Sequence, residues 1–116
     1  MRNYVPIYDK LGICKDRYNE MVHFCRQYRE WDTAAQMQIR AQANREQLSA
    51  LARKMKLVLS CAAAVADGQW ADALMIHICD NVPYRQLDAA LLPTAHREAF
   101  FAAVRDFFAL LNERLP

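Results

Sequence analysis

The chain has 116 residues, of which 54% are hydrophobic, and it carries two glycines, four prolines and a net charge of +2. This length predicts a single domain, 1–116, and a composition rich in Ala, Leu and Met favours helices and excludes a β-sheet fold. The longest apolar run, 57–66, is about half the length that a bilayer crossing needs, and the first six residues lack the apolar core of a targeting signal, so we expect a soluble, cytoplasmic protein.

The first predicted helix covers residues 9–31 and follows an extended arm in which Pro6 prevents a regular helix start. Apolar side chains recur along it at three- and four-residue steps, which places them on one buried stripe. The stripe stops near Trp31, where Asp32 or Thr33 is a suitable N-cap for the next helix. The stripe consists of Leu11, Cys14, Tyr18, Met21, Val22, Cys25 and Tyr28.

Residues 33–66 are predicted to form a second helix or a pair of helices. The stretch 36–47 is polar, and it is either an exposed helix or a flexible connection; its good helix formers favour the helix. A second apolar stripe follows from Leu48 to Val65 and ends at Asp67-Gly68, where glycine suits a left-handed C-terminal cap. We expect any homodimer contact along the long helix from about Arg45 to Ala66.

Residues 69–114 are predicted to contain a helix-turn-helix. A helix over 69–80 precedes Pro83, which suits the first position of a short helix running to Leu91. Pro93 then forces a turn, and Thr94 is a good N-cap for the last helix. In that helix one face carries the side chains expected in the core: Phe100, Val104, Phe107 and Leu111. The predicted fold is therefore an all-α bundle of about five helices with a C-terminal helix-turn-helix.

The sequence contains no pattern typical of catalysis or metal binding. The four cysteines show no Cys-x-x-Cys spacing, and the pairs His23-x-Cys25 and His77-x-Cys79 would point to nearly opposite sides of a helix. There is no Gly-rich phosphate loop, and the histidines have no nucleophile or acid partner nearby in sequence. We expect no enzyme activity, cofactor or metal, and we expect the cysteines to pack in the core.

Charge is distributed unevenly along the chain. Residues 1–57 carry eleven Lys/Arg against six Asp/Glu, whereas residues 58–116 carry four against seven. The densest basic patch is Arg53-Lys54-Lys56 with Arg45. Either it is a solvated helix face or it contacts phosphates, and phosphate contacts would make binding strongly salt-dependent. The basic half is thus not the half with the predicted helix-turn-helix.

Two segments resemble a known family. Tyr18 to Trp31 is similar to a motif of small phage and prophage proteins from Gram-positive bacteria, in which Phe-Cys-x-Gln-Tyr-Pro-Glu-Trp follows a tyrosine. Residues 82–111 resemble the ending of the same family, with Val-Pro-Tyr, then Leu-Pro, then Phe-Phe-x-x-x-Arg-x-Phe-Phe-x-x-Leu. These proteins are helix-turn-helix proteins related to phage late-transcription regulators and, more distantly, to the promoter-reading region of sigma factors. The two segments cover about half of the chain.

The resemblance implies a helical protein of a bacterial host cell whose last helix enters the DNA major groove through its first turns. The chain departs from the family at Arg29, where proline is usual, so the first two helices are expected to be less sharply separated or continuous. It also departs in charge, because residues 94–116 carry three Arg against three Asp/Glu. A neutral last helix needs phosphate contacts from elsewhere to bind DNA.

Two functions are compatible with these features. The first is a phage- or prophage-type regulator that binds double-stranded DNA. In it, one set of residues reads the groove and another contacts phosphates: Thr94, His96, Arg97 and Arg105 in the groove, and Arg45, Arg53, Lys54 and Lys56 on phosphates. The second is a phage-encoded adaptor or inhibitor that binds a host protein or nucleoprotein complex, for example a defence system, because a basic face fits an acidic protein surface as readily as DNA.

Overall fold

The computed structural model describes residues 5–42, 45–88, 92 and 97–116. Within these ranges there is no β-strand, and a one-turn helix is followed by five longer helices, which confirms the predicted all-α bundle. The helices are α1 (Ile7–Lys10), α2 (Lys15–Arg26), α3 (Tyr28–Ala41), α4 (Arg45–Val65), α5 (Gly68–Cys79) and α6 (Arg97–Arg114). No helix in the described ranges combines the length and apolar character that a membrane crossing requires.

One cluster of buried side chains contains residues of all five long helices, α2, α3, α4, α5 and α6. Its members come from the apolar stripes that the sequence predicts, and burying them accounts for most of the driving force for folding. The largest fully buried side chains are Met21, Cys25, Val58, Cys61, Leu74, Phe100, Phe107 and Leu111. A single core of this kind is what the predicted single domain requires.

The long helix α4 packs against α3, α5 and α6. Near the C-terminal end of α6, Arg114 Nη1 donates to Ser60 Oγ at 3.2 Å. Near the start of α6, the Phe100 ring lies 6.5 Å from the ring of Trp70, which follows shortly after α4 ends. Helix α6 therefore runs antiparallel to α4, and the first half of α4 extends beyond the C-terminal end of α6.

The boundary between the first two long helices lies at Gln27, and the prediction of one helix over 9–31 is wrong. Trp31, Asp32 and Thr33 all lie inside α3. Tyr28 and Trp31 are buried, and the Trp31 ring packs edge-on against Phe24 with a centroid distance of 4.8 Å. The apolar stripe thus continues past residue 31, so no cap is needed at Asp32 or Thr33.

A short helix from Pro83 to Leu91 is not formed over residues 83–88. Instead Tyr84–Gln86 make a 3-10 turn, and Leu87 is buried in extended backbone with φ −70° and ψ 142°. The turn ends after three residues because the backbone becomes extended at Leu87, whose side chain is buried. The predicted helix-turn-helix is consequently not confirmed, and the remaining parts of it, 89–91 and 93–96, lie outside the described residues.

The helices on either side of this region are confirmed. Helix α5 occupies the predicted 69–80 within one residue at each end, and α6 buries the predicted face with Phe100, Val104, Phe107 and Leu111. Gly68 adopts the left-handed φ of +49° expected between α4 and α5. The polar stretch 36–47 is helical up to Ala41, as its composition favours.

Candidate functional site

The outer face of α6 carries three side chains at four-residue steps: Arg97, Phe101 and Arg105. This spacing aligns them along one side of the helix, where they flank the core stripe that begins at Phe100. Arg97 and Arg105 are exposed, and Phe101 keeps 37% of its surface exposed. An aromatic ring between two guanidinium groups is thus presented to solvent.

A groove of about 680 Å³ lies between this face and the N-terminal segment. We call it the α6 groove, and it is lined by Val5, Ile7, Lys10, Arg97, Glu98, Phe101, Ala102 and Arg105. Tilted and edge-on ring contacts fix the N-terminal segment: Tyr8 lies 6.0 Å from Tyr18, which lies 5.2 Å from the buried Phe108. Helix α1 begins directly after Pro6, where the sequence predicts an extended arm, and Val5, Ile7 and Lys10 of this segment form one wall of the groove.

The α6 groove has an apolar floor and a positively charged rim. Lys10, Arg97 and Arg105 contribute three cations, against the single carboxylate of Glu98. Within the described part of the chain the ion pairs are Arg17–Glu20 and Arg29–Asp80, so none of the groove charges is neutralised there. A rim of this kind attracts an anionic ligand.

Arg97 is held over an aromatic cluster. Its guanidinium carbon lies 5.3 Å from the ring centroid of Phe101 and 5.9 Å from that of Tyr84, both within cation–π range. His77 closes the cluster from beneath, 5.8 Å from the Phe101 ring. Stacking orients the planar donors of Arg97 before any ligand arrives, which favours recognition of carboxylate or phosphate oxygens.

His77 is a structural member of this cluster. Its Nδ1 donates to the Val82 carbonyl oxygen at 2.7 Å, and burial lowers the pKa of the imidazole below its ordinary value. A second, smaller pocket of about 350 Å³ opens beside it, lined by His77, Pro83, Tyr84, Arg85, Arg97 and Phe101. The neutral ring supports the aromatic cluster and leaves the positive charge there to Arg85 and Arg97.

The four basic residues predicted to contact phosphates lie on α4 and are all exposed. Successive helical residues are rotated by about 100°, so Lys54 and Lys56 are about 160° apart around the helix axis. Lys54 also turns toward α3, where its Nζ lies 5.7 Å from the Trp31 ring centroid. Arg45, Arg53 and Lys56 therefore share one side of α4, within about 80° around its axis, and only Lys54 lies on another side.

The structure does not bring the two predicted sets of site residues together. Arg97 and Arg105 share the α6 groove, whereas Arg45, Arg53, Lys54 and Lys56 lie on the part of α4 that extends beyond the opposite end of α6. The molecule is 56 Å long, which leaves room for this separation. Thr94 and His96 lie outside the described residues.

Sequence reasoning missed Lys10 of the α6 groove and the Tyr84 ring that Arg97 contacts. Nothing in the sequence shows that the N-terminal segment lies beside the last helix, and Tyr84 was expected in a short helix from Pro83 to Leu91. Phe101 had a usable signal, since it stands one position away from the core stripe between two arginines four residues distant. A large apolar residue at such a position is typical of a contact surface.

Three of the four cysteines pack in the core as expected, whereas the expectation is wrong for Cys14, which is exposed and caps α2. Cys25, Cys61 and Cys79 are buried, and Cys14 accepts the N–H of Arg17 at the start of α2. A hydrogen bond with the Cys79 thiol, together with burial, raises the pKa of Cys25, so its thiol stays protonated at neutral pH. In the described ranges no group of three or more His, Cys, Asp or Glu has the arrangement of a metal site.

Comparison of the chain with protein-family models, curated proteins and solved structures gives no match.

Proposed function

We propose that this protein is a phage- or prophage-type adaptor or inhibitor that binds an acidic segment of a host protein in the α6 groove. The observation that carries the proposal is the groove itself, with Phe101 and Val5 exposed in its floor and Lys10, Arg97 and Arg105 around it. Apolar side chains of a partner would cover the floor, and its carboxylates would meet the rim.

The dimensions of the groove fit a peptide segment. From Arg97 to Arg105 the helix advances about 12 Å, the length of two turns of a partner helix or three to four extended residues. A phosphate backbone would leave the ring of Phe101 exposed, whereas a protein segment would bury it. An aromatic residue and flanking arginines at the centre of a contact are the residue types that dominate protein-protein affinity.

Affinity capture from nuclease-treated host lysate tests this function, followed by identification of the captured protein and reconstitution with it in purified form. The double variant R97E/R105E reverses two rim charges, and R40E/R45E makes the same change in charge at exposed positions near the α3–α4 connection. We expect capture by the wild type and by R40E/R45E, and loss of capture by R97E/R105E. Capture that disappears with nuclease, or that is insensitive to R97E/R105E, would overturn the proposal.

The second candidate is the DNA-binding regulator, and the exposed basic residues of α4 favour it. Arg45, Arg53 and Lys56 have no ion-pair partner among the described residues, so they are available to phosphates. In this role α4 would supply affinity, and the four residues predicted from the sequence to read the groove would contact bases: Thr94, His96, Arg97 and Arg105.

Binding to duplex DNA across a salt series tests the regulator. Arg53→Ala is expected to weaken binding to all sequences and to reduce the salt slope by about one, whereas Arg97→Ala is expected to relax sequence preference. Absence of salt-sensitive binding near about 50 mM salt would eliminate this candidate.

A further inference from the structure

Helix α4 carries an apolar strip beside its core-facing side, and only Met55 of this strip also packs against the core. Ala52, Met55, Leu59 and Ala63 follow one another at steps of three, four and four residues, so they share one side of the helix. With Lys56 and Ser60 they line a shallow depression of about 430 Å³, which we call the α4 stripe. Leu59 keeps 45% of its surface exposed.

The α4 stripe adjoins the face that α4 buries. The core-facing residues Val58, Cys61 and Ala62 are at most 1% exposed. Val58 and Cys61 lie more than about 90° around the axis from the centre of the stripe, and Ala62 lies about 65° from it. A surface helix needs only one apolar face to pack on its domain. The additional stripe is therefore available for an interaction outside the fold.

Positive charge surrounds the α4 stripe. Lys56 lies within it and Arg53 lies near its edge, while Arg114 reaches it from α6 through the hydrogen bond to Ser60 Oγ. No Asp or Glu occurs between Gln47 and Ala66. The charge that complements this surface is negative.

Charge and chemistry distinguish the possible occupants. A second copy of α4 packed antiparallel across the stripe would place the two Lys56 side chains close together with no carboxylate of α4 between them, which is unfavourable. DNA phosphates would leave Met55 and Leu59 uncovered. An amphipathic helix with apolar residues on one side and Asp or Glu flanking them satisfies both features of the surface.

We propose that the α4 stripe is a second docking surface, which binds an acidic amphipathic helix of a partner protein. Ala52, Ser60 and Ala63 are small, so the partner helix approaches closely and packs its larger side chains around Leu59. The distance from Ala52 to Ala63 is about 16 Å, which matches three turns of the partner. This surface acts independently of the α6 groove.

Fluorescence anisotropy with a synthetic probe peptide tests the proposal. The probe is a labelled helix of about 18 residues with Leu and Ala on one face and Glu on the other. The control is a shuffled peptide of the same composition, in which the apolar residues no longer share one face. We expect the probe to bind the wild type, with affinity that falls as salt rises, and the shuffled peptide to bind at least tenfold more weakly.

Variants locate the bound peptide on the protein. Leu59→Glu and Lys56→Glu are each expected to reduce affinity at least tenfold. Ile39→Glu is a matched apolar-to-acidic control, because Ile39 is 55% exposed on α3, and it is expected to bind as the wild type does. Because the α6 groove also accepts an acidic peptide in the proposed function, all affinities are measured in the R97E/R105E background, in which the α4 stripe is expected to keep its binding. Circular dichroism and urea unfolding verify that each variant is folded.

Four results would overturn the proposal: no binding of the probe, equal binding of the shuffled peptide, unchanged binding by both Leu59→Glu and Lys56→Glu, or loss of binding by R97E/R105E. Sedimentation velocity gives a fifth result that would overturn it. If the wild type is a dimer that Leu59→Glu converts to a monomer, a second copy of the chain covers the α4 stripe and a partner helix does not. R97E/R105E changes only the α6 groove. A failure of the proposal for the α4 stripe can therefore be distinguished from a failure of the proposed function.

Discussion

Arg17 stabilises the C-terminal end of α6 from the neighbouring helix α2. Its guanidinium donates to the Asn112 side-chain oxygen at 2.8 Å, to the Asn112 carbonyl at 3.1 Å and to the Leu115 carbonyl at 2.6 Å. The last carbonyls of a helix have no partner within the helix, so one side chain supplies several of the missing bonds. The sequence gives no sign of this, since the residues are almost a hundred positions apart.

Replacing Arg17 by alanine is expected to lower the free energy of unfolding by about 1.5–3 kcal/mol, the usual range for hydrogen bonds to a charged group. Arg17→Lys is expected to recover only part of this loss, because an ammonium lacks the planar fork of donors. Urea unfolding followed by circular dichroism measures both. A loss below about 0.5 kcal/mol for Arg17→Ala would show that these bonds are replaced by water.

His77 gives the fold a pH dependence at the residue scale. Burial lowers the pKa of His77 below the unfolded value of 6.5, so the unfolded chain binds a proton more tightly than the folded one. Its contribution to stability is therefore complete above pH 6.5 and is lost as pH falls from 6.5 through the lowered folded pKa. We expect the urea midpoint of the wild type to fall over this window.

The His77→Gln variant is expected to lack this part of the pH dependence. His23→Gln is the matched control, because His23 is exposed on α2, and it should retain the wild-type profile. If the urea midpoint changes equally between pH 7 and pH 5.5 in the wild type and in His77→Gln, then His77 has the same pKa in the folded and unfolded states.

At the scale of elements, left-handed backbone occurs in the described residues at Gly12, Gln42, Gly68 and Asn81. Gln42 caps α3 with φ +49°, and Gly68 begins α5 at the same φ. Only glycine adopts this region without a steric cost from Cβ. The two positions therefore have the same geometry, but only one has the residue that suits it.

Opposite substitutions at these positions are expected to change stability in opposite directions. Gly68→Ala should destabilise by about 1 kcal/mol, and the cost is conformational because no atom lies within 4 Å of the added Cβ. Gln42→Gly should stabilise by about 0.5–1 kcal/mol, since glycine is the preferred residue at a left-handed helix end. Thermal unfolding of the two variants checks both signs; a destabilised Gln42→Gly would mean that contacts of the glutamine side chain outweigh its backbone strain.

At the scale of the whole molecule, α6 has two faces with different roles. Phe107 is fully buried in the core, whereas Phe101 is exposed in the α6 groove. Two phenylalanines six positions apart on one helix thus have different roles, since one stabilises the core and the other forms part of a surface. Only the packing of α2, α4 and α5 around α6 makes this distinction.

Phe107→Ala is expected to destabilise the protein by about 3–5 kcal/mol, because it leaves a cavity in the core. Phe101→Ala is expected to cost less than about 1 kcal/mol and to weaken capture of the partner in the α6 groove. Urea unfolding and affinity capture, performed on both variants, separate the two effects. A large loss of stability in Phe101→Ala would assign that ring to the core and remove it from the proposed contact surface.

The sequence by itself determined the helical class, most of the buried stripes and the two helices around the C-terminal turn. These follow from local periodicity: apolar residues at Met21 and Cys25, or at Phe100, Val104 and Phe107, can be buried together only if the chain is helical there. The left-handed glycine at Gly68 was predictable for a similar reason, since it depends on backbone sterics within a few residues.

Only the tertiary structure decided the break at Gln27, the 3-10 turn after Pro83 and the composition of the α6 groove. Burial of Trp31 keeps Asp32 inside a helix, and burial of Leu87 ends a turn, although the local sequence favours a cap in one case and a helix in the other. The distribution of charge was decided in the same way. The antiparallel packing of α4 and α6 separates the basic residues of α4 from Arg97, because which surfaces meet depends on contacts between residues far apart in the chain.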